Sequence, residues 1–145
     1  VSAPIQYAAI EAYKGDHSSY INDVRKILSF VGNYVYENLN SNKISVDKPD
    51  GGFYLFPEFL NAKFLSSSEM CENILKKTGV ALLPGSDFGL ENHKMVARLS
   101  YTDFDGGAFL SHTLGRKKLD DADLKKYAPN IVEGISNLRE WSNSL

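Results

Sequence analysis

The sequence predicts an α/β (α+β) fold: a small mixed sheet of about three to four strands packed against helices. Two observations lead there. Short aromatic or β-branched runs alternate with longer stretches of helical apolar spacing, and those runs are too few and too short for a full doubly wound sheet. With 145 residues the chain has the size of one domain and can bury a real core.

The elements follow in order. Ser2 is placed to cap a short helix with Pro4 in its first turn, running through Tyr13 and ended by Gly15. A longer helix is predicted from about Ser18 to Asn40. Tyr20, Ile21, Val24, Ile27, Leu28, Val31, Val35 and Leu39 recur every three to four positions and define its buried face. Gly32 in mid-helix costs up to about 1 kcal/mol relative to alanine, which points to a close crossing. A turn, a short strand and a second turn follow in "NSNKISVDKPDGG". Phe53 to Phe56 then reads as a strand stopped by Pro57. Ser66 and Glu69 form a capping box ahead of a helix to Lys77, with Gly79 as its left-handed terminator. A buried strand is predicted from Val80 to Leu83, broken by Pro84-Gly85, and another from Met95 to about Tyr101. A helix near Asp105 to Leu114, a charged connection and a last helix from about Pro129 complete the chain. Ile131, Ile135, Leu138 and Leu145 mark the inner face of that last helix.

A formal net charge of −2 carries no footprint for nucleic acid or an anionic membrane surface. No apolar run reaches the length of a membrane span, and the start shows no signal-peptide pattern. A single cysteine, Cys71, cannot form an intrachain disulfide, which suits a reducing, cytoplasmic setting. The chain opens on Val1 without methionine and already in helix, so the expectation is a piece of a longer polypeptide.

Most familiar constellations are missing. His17, His93 and His112 lack metal-ligand spacing with one another or with Cys71. There is no H-E-x-x-H, G-x-S-x-G, P-loop or G-x-G-x-x-G pattern. Gly85-Ser86-Asp87-Phe88-Gly89 reads as a turn and a short loop rather than a phosphate cradle. Cys71 falls on the apolar face of its helix and reads as an inert thiol. Gly115-Arg116-Lys117-Lys118, followed by Asp120, Asp121 and Asp123, reads as a solvated connection.

Arg98 is different. In "MVARLSY" alternation puts Val96, Arg98 and Ser100 on one face of the strand, and Ala97, Leu99 and Tyr101 on the other. Its charge cannot be shed by deprotonation, so it must reach solvent, pair internally or meet an anion. A planar guanidinium fixed on a strand is well shaped for bidentate capture of a carboxylate. The strand alone leaves these alternatives open.

Four stretches, taken in order, narrow them. They are "SAPIQYAA" at the start, "PDGGFY" at 49–54, "GVALLPGSDFG" at 79–89 and "ARLSY" at 97–101. Together they resemble the C-terminal part of class I/II aminotransferases, the fold-type I pyridoxal-phosphate enzymes similar to aspartate aminotransferase. The resemblance runs from Ser2 to about Tyr101. It implies the small C-terminal domain of such an enzyme over residues 1–145, with Arg98 matching the arginine that holds the substrate α-carboxylate. Phe53 matches a position on the substrate side of the cofactor, and Gly52 stands beside it where a side chain would crowd the site. The Pro84–Ser86 turn and Phe88-Gly89 match a structural loop.

The family's cofactor lysine typically follows Ser or Thr, and no Ser-Lys or Thr-Lys pair exists in this chain. By the same resemblance, pyridoxal phosphate would be held by a large domain preceding Val1, and no catalytic or cofactor-binding residue is expected within 1–145. The implied substrates are an amino acid and a 2-oxo acid, the implied assembly is a homodimer, and the chain alone is expected to be inactive. Related lyase or synthase chemistry stays open. So does a reading of another class: a free-standing, non-catalytic α/β module that binds a small carboxylate or a protein partner.

Overall fold

The computed structural model describes residues 1–114 and 118–145. Six helices are found among them: α1 (Ala3–Lys14), α2 (Ser18–Leu39), α3 (Ser67–Thr78), α4 (Gly106–Thr113), α5 (Asp121–Tyr127) and α6 (Pro129–Asn143). The strands are β1 (Ile44–Ser45), β2 (Tyr54–Leu55), β3 (Glu58–Phe59), β4 (Leu83–Pro84) and β5 (Ala97–Ser100). They form a three-stranded sheet in the order β2–β5–β4 and a two-stranded sheet of β1 and β3. The pairings are antiparallel rather than mixed. The α/β class predicted from the sequence is the observed one: a small sheet with one face on helices.

That core draws Ile27, Val31, Val35 and Leu39 from α2, Met70 and Ile74 from α3, and Ile131, Ile135 and Leu138 from α6. Leu55 of β2 and Ala97 and Leu99 of β5 meet them from the sheet. The alternation read in "ARLSY" is therefore real. Ala97, Leu99 and Tyr101 point inward, while Arg98 is half-buried and Ser100 exposed.

Several expectations change. β2 ends at Leu55, ahead of Pro57 as expected, but extended chain resumes just beyond the proline. Lacking an N–H, it still offers its carbonyl to Ala97 N–H at 3.1 Å, and the chain passes straight into β3. The stretch from Val80 to Leu83 is mostly unpaired, because only Leu83 and Pro84 match Arg98 and Ala97 across β5. The residues before them instead line an open cleft of about 600 Å³ against α6. In α2 the apolar stripe stays exposed at Tyr20 and Ile21, and α1 buries no residue at all. Leu145 lies beyond α6 and is exposed, and Trp141 takes the inner position. The Trp141 indole N–H donates to Asn73 Oδ1 at 2.9 Å.

The charged connection is partly helix. Asp120 caps α5 in a reciprocal box with Asp123, the arrangement that satisfies the free N–H groups of a first turn. Gly115-Arg116-Lys117 lies outside the described residues. At α3 the Ser66 hydroxyl accepts from Glu69 N–H at 3.2 Å, while the Glu69 carboxylate reaches back to Leu65 N–H at 2.8 Å. Gly79 takes the left-handed conformation, φ 74°, as predicted.

Candidate functional site

Register decides what surrounds Arg98. β5 runs between its two neighbours, with Tyr54 opposite Ser100 and Leu83 opposite Arg98. Alternation then brings Tyr54 and Leu83 to the side of the sheet that carries Arg98, away from the core. Both are exposed large hydrophobic residues, as are Phe53, Phe56 and Phe88.

The Arg98 guanidinium lies over two rings on this face. Its Cζ is 4.3 Å from the Tyr54 ring centre and 4.5 Å from that of Phe88, well within cation–π range. Phe53 packs on Tyr54 with ring centres 4.3 Å apart, and Phe56 meets Phe88 edge-on at 5.5 Å. Among the described residues no carboxylate forms an ion pair with Arg98, and its side chain has no hydrogen-bond acceptor there. Sequence reasoning singled out Arg98 and Phe53 but missed Tyr54 and Phe88. Alternation could have placed Tyr54 only once the strand register was known, and Phe88 arrives from a 3-10 turn without periodicity.

That turn is specified by its glycines. The stretch Gly85–Phe88 forms one turn of 3-10 helix, and Gly89 closes it at φ 85°. Gly85 N–H donates to Val96 O at 2.8 Å. A Cβ on Gly85 would stand 2.9 Å from that same oxygen. The Ser86 hydroxyl accepts from Ser67 Oγ–H at 3.2 Å, tying the turn to the start of α3.

Gly52 is specified by its backbone conformation. A Cβ there would meet no atom within 4 Å, so nothing in this chain would be crowded. The need is conformational: φ is 71°, in the left-handed region. The Gly52 carbonyl accepts from the Tyr101 hydroxyl at 2.9 Å, and Tyr101 N–H donates to Phe53 O at 3.2 Å. Tyr101 thus pins both residues beside β5. The Gly51-Gly52 turn also borders a hollow of about 500 Å³ against Arg25, Ser29 and Asn33 of α2.

Cys71 and His112 lie apart from this face. Burial, with a smaller push from Asp87, raises the Cys71 thiol to about 11, so it stays protonated and unreactive at neutral pH. His112 Nε2 lies 2.6 Å from Asp123 Oδ1, and its Nδ1 lies 3.0 Å from the Tyr127 hydroxyl. An ionised carboxylate only accepts, so Nε2 carries a proton and Nδ1 is left to Tyr127. With both nitrogens engaged, the imidazole clamps α4 to α5. No group of three metal-ligating side chains occurs among the described residues.

The sequence model of the family Aminotransferase class I and II matches residues 1–105. The chain belongs to this family. The match takes in both sheets and Arg98 and stops before α4, so the His112 clamp lies beyond it. Aromatic-amino-acid aminotransferase 2 of Thermococcus litoralis is 36% identical over 98 residues, covering 67% of this chain and 25% of the relative. The aspartate aminotransferase of Bacillus sp. YM-2 is 37% identical over 101 residues, 66% of this chain and 25% of its own. This aminotransferase-family chain therefore spans about a quarter of the length of these curated relatives. The aromatic aminotransferase of Pyrococcus horikoshii superposes over 94% of this chain and 31% of its own, with a TM-score of 0.62 and 28% identity. The alanine aminotransferase of Pyrococcus furiosus shares the fold over 99% of this chain and 30% of its own, at TM-score 0.69 and 22% identity.

Proposed function

We propose that this chain is the small C-terminal domain of a pyridoxal-phosphate-dependent aminotransferase, and that it binds the substrate carboxylate. The observation that carries this reading is Arg98: a fixed cation on an exposed apolar face, with no acceptor for its side chain among the described residues. Water and a transient anion are the partners such a group can take. A carboxylate suits its planar fork, and one charge-assisted contact of this kind is worth about 1.5–3 kcal/mol.

In this reading Arg98 binds the carboxylate of an amino acid or a 2-oxo acid and so orients the bond that is to react. Phe53 and the Gly52 turn form a wall beside it, and the aromatic face keeps water away from the pair. The residues of this face do not themselves form a site for pyridoxal phosphate. The paired strands carry no lysine to hold it and, apart from Glu58 in the smaller sheet, no carboxylate to pair with its ring. The cofactor, which supplies the electron sink for amino-group transfer, would be held by a large domain elsewhere in a longer polypeptide. The chain alone is then without transaminase activity, and closure of one domain on the other follows from dividing anchor and cofactor between them. A homodimer is the proposed assembly of the whole enzyme, and the cytoplasm its proposed location. Within the described residues no helix is long and apolar enough to cross a membrane.

Substitution tests the reading directly. In the full-length polypeptide, Arg98→Ala should weaken amino-acid substrates by roughly 10- to 100-fold and leave pyridoxal-phosphate affinity unchanged. Steady-state kinetics that give the same kcat and KM as the parent protein overturn it.

A further inference from the structure

We propose that Tyr54 and Phe88 are positioning residues, which hold the Arg98 guanidinium in place before a carboxylate arrives. This rests on the reading of Arg98 as the carboxylate anchor and adds what makes it a prepared one.

An arginine side chain is long and rotamer-rich, and fixing it only on binding would cost affinity. The usual way to fix one in advance is a neighbouring carboxylate, but that partner would occupy the same N–H edge the substrate needs. Aromatic rings avoid the conflict. They attract the cation through their π faces and take none of its five N–H donors. Both rings stand within cation–π distance of Arg98, at 4.3 and 4.5 Å.

The two rings come from opposite neighbours of the strand that carries Arg98. Tyr54 belongs to β2, and Phe88 follows β4, with β5 between them in the order β2–β5–β4. Each has its own support: Phe53 against Tyr54, and Phe56 edge-on to Phe88. Phe53, expected as a substrate-side residue, thus connects to Arg98 through Tyr54. Phe88 is aimed by a turn in which Gly85 is pressed against Val96 O and Gly89 supplies the left-handed close. The loop that resemblance marks as structural therefore acts on the site at one remove.

The experiment uses the full-length, cofactor-loaded polypeptide, with propionate as an unreactive carboxylate probe in calorimetric titration. Replacing Tyr54 and Phe88 together by leucine should weaken propionate about tenfold, whereas Tyr54→Phe and Phe88→Tyr should bind like the parent. In an Arg98→Ala background the leucine pair should cause no further loss. Leucine variants that bind like the parent, or that lose as much without Arg98 as with it, overturn the proposal. If Arg98→Ala alone leaves propionate binding unchanged, the carboxylate reading falls and this proposal with it. If Arg98→Ala weakens binding and the leucines do not, only the positioning role falls. A measurement on the unsubstituted protein guards against variants that fail to fold. With 15N-labelled arginine, the Arg98 Nε–H signal should be ring-current shifted and ordered without ligand, and an unshifted, mobile signal overturns the proposal.

Discussion

Tyr101 carries its hydroxyl to the Gly52 carbonyl at 2.9 Å, while its ring lies against Gly32 of α2. A Cβ on Gly32 would come within 3.1 Å of Tyr101 Cζ and hydroxyl and 3.3 Å of Pro49 Cγ. Tyr101 is fully buried and tied to Gly52, so it has little room to yield. The close crossing inferred from a mid-helix glycine is found there. Alanine would favour the helix by up to about 1 kcal/mol, but overpacking costs about 1–3 kcal/mol. Gly32→Ala should therefore lower the urea midpoint with the slope unchanged, and a raised midpoint would show that Tyr101 shifts freely. Tyr101→Phe deletes one hydrogen bond and no volume of note. Its expected cost is about 0.5–1.5 kcal/mol, readable as a lower Tm by differential scanning calorimetry.

On the element scale, the Gly85–Phe88 turn and the α4–α5 pair behave differently. Gly85→Ala would set Cβ 2.9 Å from the Val96 carbonyl, a backbone atom that cannot rotate away. It should cost about 1–3 kcal/mol in chemical denaturation, and it should shift Phe88 relative to Arg98, visible as a changed Arg98 side-chain resonance. This turn was legible in the sequence as Pro84-Gly85 and Gly89 because turn chemistry is local. Its contact with Arg98 was not legible, since that depends on strand order. The same divide explains α5. Its aspartates read as a solvated run, yet Asp123 is buried beneath His112, eleven residues away in sequence with no periodicity to link them. β4 shortened for a related reason: an apolar run shows strand propensity but not how far a partner extends beside it.

At the scale of the whole molecule, Cys71, Tyr101 and Tyr34 resist ionisation in the fold. Burial raises the thiol of Cys71 to about 11, and burial also pushes the phenols of Tyr101 and Tyr34 upward, with the Asp121 charge adding to the latter. Each is neutral when protonated, so the fold favours the proton-bound form. The stability they contribute is complete below their ordinary values, 9.0 for the thiol and 10.0 for the phenols, and is lost as pH rises through the folded values. Urea midpoints should hold on this account up to about pH 9 and fall by pH 11, and a Cys71→Ala variant should show a shallower fall. A midpoint that stays level through pH 11 would contradict the sign.

The sequence by itself determined α1 to α4 and α6, the Ser66 cap of α3, the turn glycines and which strand face carries Arg98, because 3.6- and 2-residue periods and left-handed turns are written in neighbouring residues. Its ordered motifs also carried the family. Tertiary structure alone decided that Tyr54 and Phe88 flank Arg98, that Tyr101 holds Gly52, and that α1 and the start of α2 leave their apolar residues exposed. These depend on strand order, register and what packs where, which are set by the global burial of side chains far apart in the chain.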